Sequence, residues 1–332
     1  MPRQPIQEYL KVNPRKVLVL DGGQGTELEN RGINVANPVW STVPFIDSSF
    51  WSNKSSKDRV IVKGMFDAFL DAGAEILMTT TYQTSFKSVS ENTPIQNLEE
   101  YSSLLDRIVQ FSRDCIGPDK YLIGCIGPWG AHVCAEFNGD YGPNPAEIDY
   151  LSYFKPQLDN FFHNDNLDLI GFETIPNIHE LRAILSWDET ILSKPFYIGL
   201  SVHNNGLLRD GSTMKDVADL IKSFGGKLNK NLTLLGINCV SFSDSPDILE
   251  SIHKELPDMP LIAYPNSGEV YDTVKKIWLP NRDMVMTWEE VVDRYIKAGA
   301  RIVGGCCRTS PKDIRAVAAA VKKRADDTVW QD

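Results

Sequence analysis

The sequence has no run of Lys and Arg: 34 basic side chains are scattered among 44 acidic ones, for a net charge of −10 over 332 residues. A surface that negative repels phosphate backbones and anionic lipid, which excludes nucleic acid as a partner and speaks against membrane binding. No window approaches the roughly 18 uncharged apolar residues that a spanning helix needs. Residues 1–16 carry Lys and Arg between Pro2, Pro5 and Pro14 with no continuous apolar stretch, so no secretory leader is expected. Six cysteines are too sparse for a disulfide scaffold in a chain of this length, and Cys306 and Cys307 are adjacent. The expected setting is a reducing cytoplasm, with thiols that are free or bound to metal, and no obligate protein partner is evident. No Gly/Ser/Pro linker or shift of composition divides the chain. What is there, 42% apolar and 23% charged side chains, makes a soluble globular chain with a large core.

Short runs rich in Val, Ile and Leu recur at 17–20, 75–80, 121–126, 168–173, 196–202, 234–240, 261–264 and 301–304. Most are continuous rather than alternating, as strands buried on both faces of a parallel sheet are. Helical patterns lie between them. Val62, Phe66, Phe69 and Leu70 share one helix face, with Gly73 as the stop. Thr287 and Glu290 form a capping box before Val291, Tyr295 and Ile296, with Gly299 closing that helix, and Ser310-Pro311-Lys312-Asp313 opens the last one. Eight strands, each followed by a helix, predict an α/β chain of one domain, a (β/α)8 TIM barrel over 17–325, between an N-terminal extension 1–16 and a tail 326–332. A doubly wound open sheet is the alternative. Two connections, 128–145 after the third strand and 265–285 after the seventh, are too long for plain turns. Both follow the strand ends where barrels keep their active sites, so they are expected to wall or cover a site, the other reading being decorated surface loops.

The sharpest local signal is Gly304-Gly305-Cys306-Cys307-Arg308-Thr309. Successive side chains of a strand point to opposite faces, so neighbouring cysteines can share one ion only where the strand breaks, which two glycines allow. Leu235-Gly236-Ile237-Asn238-Cys239 supplies a third thiol at the end of the sixth strand. Three thiolates would hold a tetrahedral Zn2+ at about 2.3 Å each and leave one position open, the mark of catalytic zinc. Buried cysteine behaving as a small hydrophobe is the competing account. Ordinary packing suffices for Cys115 and Cys125, nothing pairs Cys134 with a second ligand, and His132 and His203 are expected in structural or surface roles.

Asp21-Gly22-Gly23-Gln24-Gly25 follows the first strand without matching a dinucleotide or phosphate loop. Its backbone could offer N–H groups to a carboxylate, or be only a tight turn. Glu173, in Gly171-Phe172-Glu173-Thr174, ends an apolar strand where a lone carboxylate is costly unless a cation such as an amino group meets it. Thr79-Thr80-Thr81-Tyr82-Gln83 offers hydroxyls and an aromatic face to a pocket.

Taken in order along the whole chain, Asp21-Gly22-Gly23, Thr79-Thr80-Thr81-Tyr82, Gly171-Phe172-Glu173-Thr174, Gly236-Ile237-Asn238-Cys239 and Gly304-Gly305-Cys306-Cys307-Arg308 resemble the homocysteine S-methyltransferase family. The intervening Glu27-Leu28-Glu29-Asn30-Arg31-Gly32 and Tyr264-Pro265-Asn266-Ser267-Gly268-Glu269 are similar to the fungal and plant members that use sulfonium donors. The resemblance implies a (β/α)8 barrel with zinc on Cys239, Cys306 and Cys307. It also implies that Glu173 and the turn at Asp21 hold the amino acid part of homocysteine, with Asp21, Gly22, Gly23, Thr79, Tyr82, Glu173 and Asn238 as the substrate-binding set. Cobalamin-dependent relatives carry further domains and betaine-using ones extend past the barrel, so a small methylsulfonium donor, S-adenosylmethionine or S-methylmethionine, is expected. Trp129, Phe137 and Tyr141, with Tyr264, Tyr271 and Trp278, are candidate walls for it, or simply loop packing. A zinc barrel hydrolase and a non-catalytic zinc or thiol store are the competing functions.

Overall fold

The computed structural model describes residues 3–272, 277–279 and 286–329. Among the described residues there are ten strands: β1 (Leu18–Val19), β2 (Ile76–Met78), β3 (Tyr121–Ile126), β4 (Leu169–Ile175), β5 (Phe196–Leu200), β6 (Leu232–Asn238), β7 (Leu261–Tyr264), β8 (Val270–Asp272), β9 (Ile277–Leu279) and β10 (Ala300–Val303). Eight of them form one parallel sheet in the order β1-β10-β7-β6-β5-β4-β3-β2. A parallel bridge from Leu20 to Ile76 joins its two edges, so the sheet closes into a barrel. The open doubly wound alternative is thereby excluded. β8 and β9 pair antiparallel as a hairpin within the connection after β7.

The continuous apolar runs turn out to alternate after all, between two cores. Leu18 and Leu20 point into the barrel while Val17 and Val19 face the helices, and Tyr121, Ile123 and Cys125 point in while Leu122 and Ile126 face out. Both faces are apolar because both are covered. The caps are as expected. Thr287 and Glu290 form a capping box, Gly73 and Gly299 take positive φ just past their helices, and Ser310 donates through its N–H and hydroxyl to Asp313.

The helix Ile6–Val12 places Ile6 and Leu10 in the interior core, closing the barrel at the amino ends of its strands. Arg301 binds it there, donating to the carbonyls of Leu10, Asn13 and Lys16 at 2.9, 2.6 and 3.0 Å. Arg3 and Arg113 share the two oxygens of Asp168 just before β4. At the other terminus the helix Pro311–Val329 runs past the boundary expected at 325, and residues 330–332 lie outside the described residues.

The connection after β1 is a third long insertion, which the sequence did not signal. It carries the helix Gln24–Asn30, the 3-10 turn Trp40–Phe45 and the helices Ser48–Ser52 and Lys57–Asp71. No helix among the described residues is long and apolar enough to cross a membrane. With Leu10 buried in the barrel interior, Leu10→Ala is expected to destabilise the whole fold by about 2–5 kcal/mol, read as a lower denaturant midpoint. An unchanged midpoint would show that the N-terminal helix is dispensable.

Candidate active site at the carboxyl ends of the strands

β10 stops at Val303, and Gly304 and Gly305 carry the chain inward. A Cβ on Gly304 would stand 2.6 Å from that of Leu20, and one on Gly305 2.4 Å from the Thr309 hydroxyl, so only glycine fits this turn. Cys306 is fixed by its N–H bond to the Pro265 carbonyl at 2.7 Å, and the turn closes through the Thr309 hydroxyl to the Cys306 carbonyl at 2.6 Å. The adjacent cysteines therefore face one place, as the strand break predicted. Cys239 follows β6 at a positive φ of 50° and turns its sulfur to the same place. The sulfurs of Cys239, Cys306 and Cys307 all lie within 4.8 Å of one another.

The expectation of free thiols needs correction at two of these positions: Cys239 and Cys306 are joined as a disulfide, while Cys307 is free with its sulfur 3.9 Å from that of Cys239. Sulfurs brought this close form either a covalent pair or, once reduced to thiolates, a metal-binding set, because a sulfur in an S–S bond has no thiolate to give. Both states require the same convergence.

The glycine turn after β1 packs directly on the cysteine turn. Gly23 donates its N–H to the Thr309 carbonyl and hydroxyl at 3.0 and 2.9 Å, and a Cβ there would meet the Cys306 carbonyl at 2.5 Å. Its amide is thus committed to the protein rather than offered to a ligand carboxylate. Gly22 is equally tight, its Cβ position 2.8 Å from Phe69. Asp21 is 1% exposed, with Oδ2 accepting from Gln24 at 2.8 Å and from the Met78 N–H at 3.2 Å, while Oδ1 has no partner. Burial pushes its carboxyl up to about 7 against those hydrogen bonds.

Glu173 lies in β4 and is 6% exposed. The Cys125 thiol donates to its Oε2 at 2.5 Å, and the Tyr197 hydroxyl reaches Oε1 at 3.5 Å and the Tyr264 hydroxyl at 2.9 Å. Desolvation raises the Glu173 carboxyl above its ordinary range, with the bonds from Cys125, Tyr264 and Tyr197 pulling it back. Asn238 holds the next residue: its Oδ1 accepts from the Thr174 N–H at 2.8 Å and its amide donates to the Thr174 hydroxyl at 2.7 Å. Thr174 sits at φ 61°, a strained conformation that these bonds maintain. Asn238 lines the cavity as expected, but its amide is occupied in positioning β4. Thr79 and Thr81 bond the backbone of Cys125 at 3.0 and 2.7 Å, and so set the thiol against Glu173.

These groups open onto a cavity of about 560 Å³, which the turn at Gly22 and Gly23, Thr79, Tyr82, Cys125, Glu173, Asn238 and the three clustered cysteines all line. Tyr82 meets Trp40 edge-on at 5.7 Å. Trp40, Glu136, Arg209 and the lining role of Cys125 carry no signal in the sequence, since none sits in a motif, and Asn266 lines the cavity from the 264–269 stretch. Of the candidate aromatic walls, Phe137 and Tyr264 line the cavity. Trp129 instead packs on Tyr153 at 5.0 Å, and Tyr141 holds the loop by donating to Glu180 and accepting from the Gly130 N–H. The side chains of Tyr271 and Trp278 lie outside the described residues. Cys134 is exposed and apart from the cluster, and His203 is bonded to Arg209.

The homocysteine S-methyltransferase family profile matches residues 18–321. A Saccharomyces cerevisiae protein named homocysteine S-methyltransferase 2 is 72% identical over 323 residues, 97% of this chain and 99% of that one. Crystal structures of the Escherichia coli homocysteine methyltransferase MmuM superpose with TM-scores of 0.73 for a metallated form and 0.72 for an oxidised form. Each is 25% identical, covering 95% and 96% of this chain and 99% of the bacterial one. The glycine turn, the buried acid and the three converging cysteines thus stand within a match that spans nearly the whole chain, and the chain belongs to the homocysteine S-methyltransferase family.

Proposed function

We propose that the protein moves a methyl group from a sulfonium donor, S-adenosylmethionine or S-methylmethionine, to the sulfur of homocysteine, giving methionine, with zinc as its cofactor. The observation that carries this reading is the meeting of three cysteine sulfurs at a cavity that also holds a deeply buried carboxylate. Three soft donors from two strand ends suit zinc and leave a coordination position for a substrate sulfur. Cys239, Cys306 and Cys307 would hold the ion, after reduction of the disulfide. The naming of metallated and oxidised forms for the bacterial relative supports two such states. When bound, zinc supplies what a free thiol of pKa about 8.5 lacks at neutral pH, a sulfur relieved of its proton and kept nucleophilic.

The chain's own residues supply recognition and positioning. A carboxylate as buried as Glu173 is destabilised alone, so a substrate ammonium that pairs with it recovers what burial took. Asn238 and Thr174 keep Glu173 in place, and Cys125 and Tyr197 cover its other side with hydrogen bonds. Glu29 and Glu136 also line the cavity, adding carboxyl groups that favour a cationic sulfonium, while Glu269 there is paired with Arg308. In the transfer the methyl carbon leaves the donor sulfur, which keeps the electron pair of the broken bond and becomes a neutral thioether. Homocysteine sulfur forms the new bond. The thioether sulfur left behind carries no charge for the acidic groups to attract. The close packing of both turns fixes the direction of approach.

Labelled methyl donors test the reaction: methionine is expected from both sulfonium compounds and not from betaine. Efficient transfer from betaine, or none from either sulfonium with reduced, zinc-loaded protein, would overturn the proposal. Metal analysis of the reduced protein should find one zinc per chain, lost on replacing Cys239, Cys306 or Cys307 by Ser and kept in Cys134→Ser; retention in all three variants would remove them as ligands. Glu173→Gln should weaken homocysteine binding by about 1–3 kcal/mol, seen as a higher homocysteine KM at unchanged zinc content.

A further inference from the structure

One wall of the cavity has no role in holding homocysteine by Glu173 and the cysteines. It is built by the connections after β3 and β5, and it carries Glu136, Phe137 and Arg209. Arg209 is half-buried, yet none of its partners is a carboxylate. Its Nε donates to the Ser201 hydroxyl at 3.2 Å, its Nη1 stands 3.3 Å from His203 Nδ1, and the guanidinium carbon lies 5.8 Å from the centre of the Phe137 ring. Among the described residues no carboxylate forms an ion pair with it. Glu136 is the counterpart: half-buried, it lines the same cavity and forms no ion pair among the described residues. Burial pushes its carboxyl up to about 7, opposed only by a bond from its own backbone N–H. A guanidinium stays charged at such depth, and its remaining donors form a planar fork suited to a carboxylate.

The two connections that carry these side chains are held in fixed relation. The Ser201 hydroxyl donates to the Glu136 carbonyl at 2.9 Å while accepting from Arg209. The two connections press together at Gly139, where φ is 69° and an added Cβ would stand 2.4 Å from the Arg209 carbonyl carbon. Asn177 fastens Gly139 from below through a 3.1 Å bond to its carbonyl. A rigid wall that presents one cation and one anion, each lacking an ionic partner, complements a ligand bearing both charges on one carbon. That is an α-amino acid. Homocysteine has one such end, and Glu173 on β4 already answers its ammonium. A direct transfer needs both substrates in the cavity together, and the two sulfonium donors, different elsewhere, share an α-amino carboxylate end.

We propose that Arg209 and Glu136 form a second amino acid cradle that holds the methylsulfonium donor, Arg209 taking its carboxylate and Glu136 its ammonium. This rests on the methyl-transfer reading above. The cradle selects donors by their amino acid end and leaves the third substituent on the sulfonium unrestricted. A sulfonium with a carboxylate but no amino group, such as dimethylsulfoniopropionate, satisfies Arg209 alone.

Steady-state kinetics of the zinc-loaded full chain test this, with each substrate varied at saturating levels of the other. Arg209→Ala is expected to raise the KM for S-methylmethionine about tenfold or more, with homocysteine KM changed less than about twofold. Glu136→Gln should shrink the preference for S-methylmethionine over dimethylsulfoniopropionate, because the amino group loses its charged partner. Arg209→Lys keeps the charge without the fork and should fall between; it serves if Arg209→Ala fails to fold, as judged by Tm. A rise in homocysteine KM equal to or greater than that for the donor, or an unchanged donor preference in Glu136→Gln, would overturn the cradle while wild-type activity keeps the methyl-transfer reading intact. Absence of methionine formation by the wild type from either sulfonium would sink both.

Discussion

The site depends on one departure from strand geometry. In a regular strand Cys306 and Cys307 would point to opposite faces, one into the barrel and one towards the helices. The chain breaks its strand at Gly304 and Gly305, where Leu20 and Thr309 press so close that no side chain fits, and both sulfurs come to the same side. Everything around that break serves to hold it. Gly23 bonds Thr309, Thr26 accepts from the Arg308 N–H at 3.0 Å, and Pro265 anchors Cys306. Positive φ at Cys239 and Arg308 records the same constraint from the chain's side.

A second consequence follows from how the barrel is closed. The helix Ile6–Val12 and Arg301 seal the amino ends of the strands, so the carboxyl ends alone are left to form a cavity. Two buried acids beneath the carboxyl ends are each held by donors: Gln24 and Met78 for Asp21, behind the cavity wall, and Cys125 and Tyr197 for Glu173, which lines it. Burial raises both carboxyls above their ordinary range, against the pull of those bonds.

The cavity walls divide by the connections that build them. The turns after β1, β6 and β10 form the sulfur side, β4 brings the acid, and the connections after β3 and β5 bring an opposed pair of charges. The disulfide joins two of the three converging cysteines, so Cys239 and Cys306 would have to be reduced before all three sulfurs could hold an ion. Such coupling is built into any site that gathers thiols within a few ångströms of one another.

Much of this was legible in the order of residues. Eight apolar runs with caps and stops between them predict a parallel α/β sheet, with the barrel favoured over an open one, and the double glycine before Cys306 marks the strand break, because these signals depend on near neighbours in the chain. The alternation within the runs was not legible, since both faces are apolar and only the closed barrel divides Leu18 from Val19. Nor was the commitment of Asn238 to Thr174, of Gly23 to Thr309 or of Cys125 to Glu173, each a bond between segments 48 to 286 residues apart. Trp40, Glu136 and Arg209 carry no motif at all. The sequence by itself determined which chemical groups stand at the strand ends; which of them meet, and which are already occupied by the protein, only the tertiary structure decided, because hydrogen bonds and desolvation act through space and not along the chain.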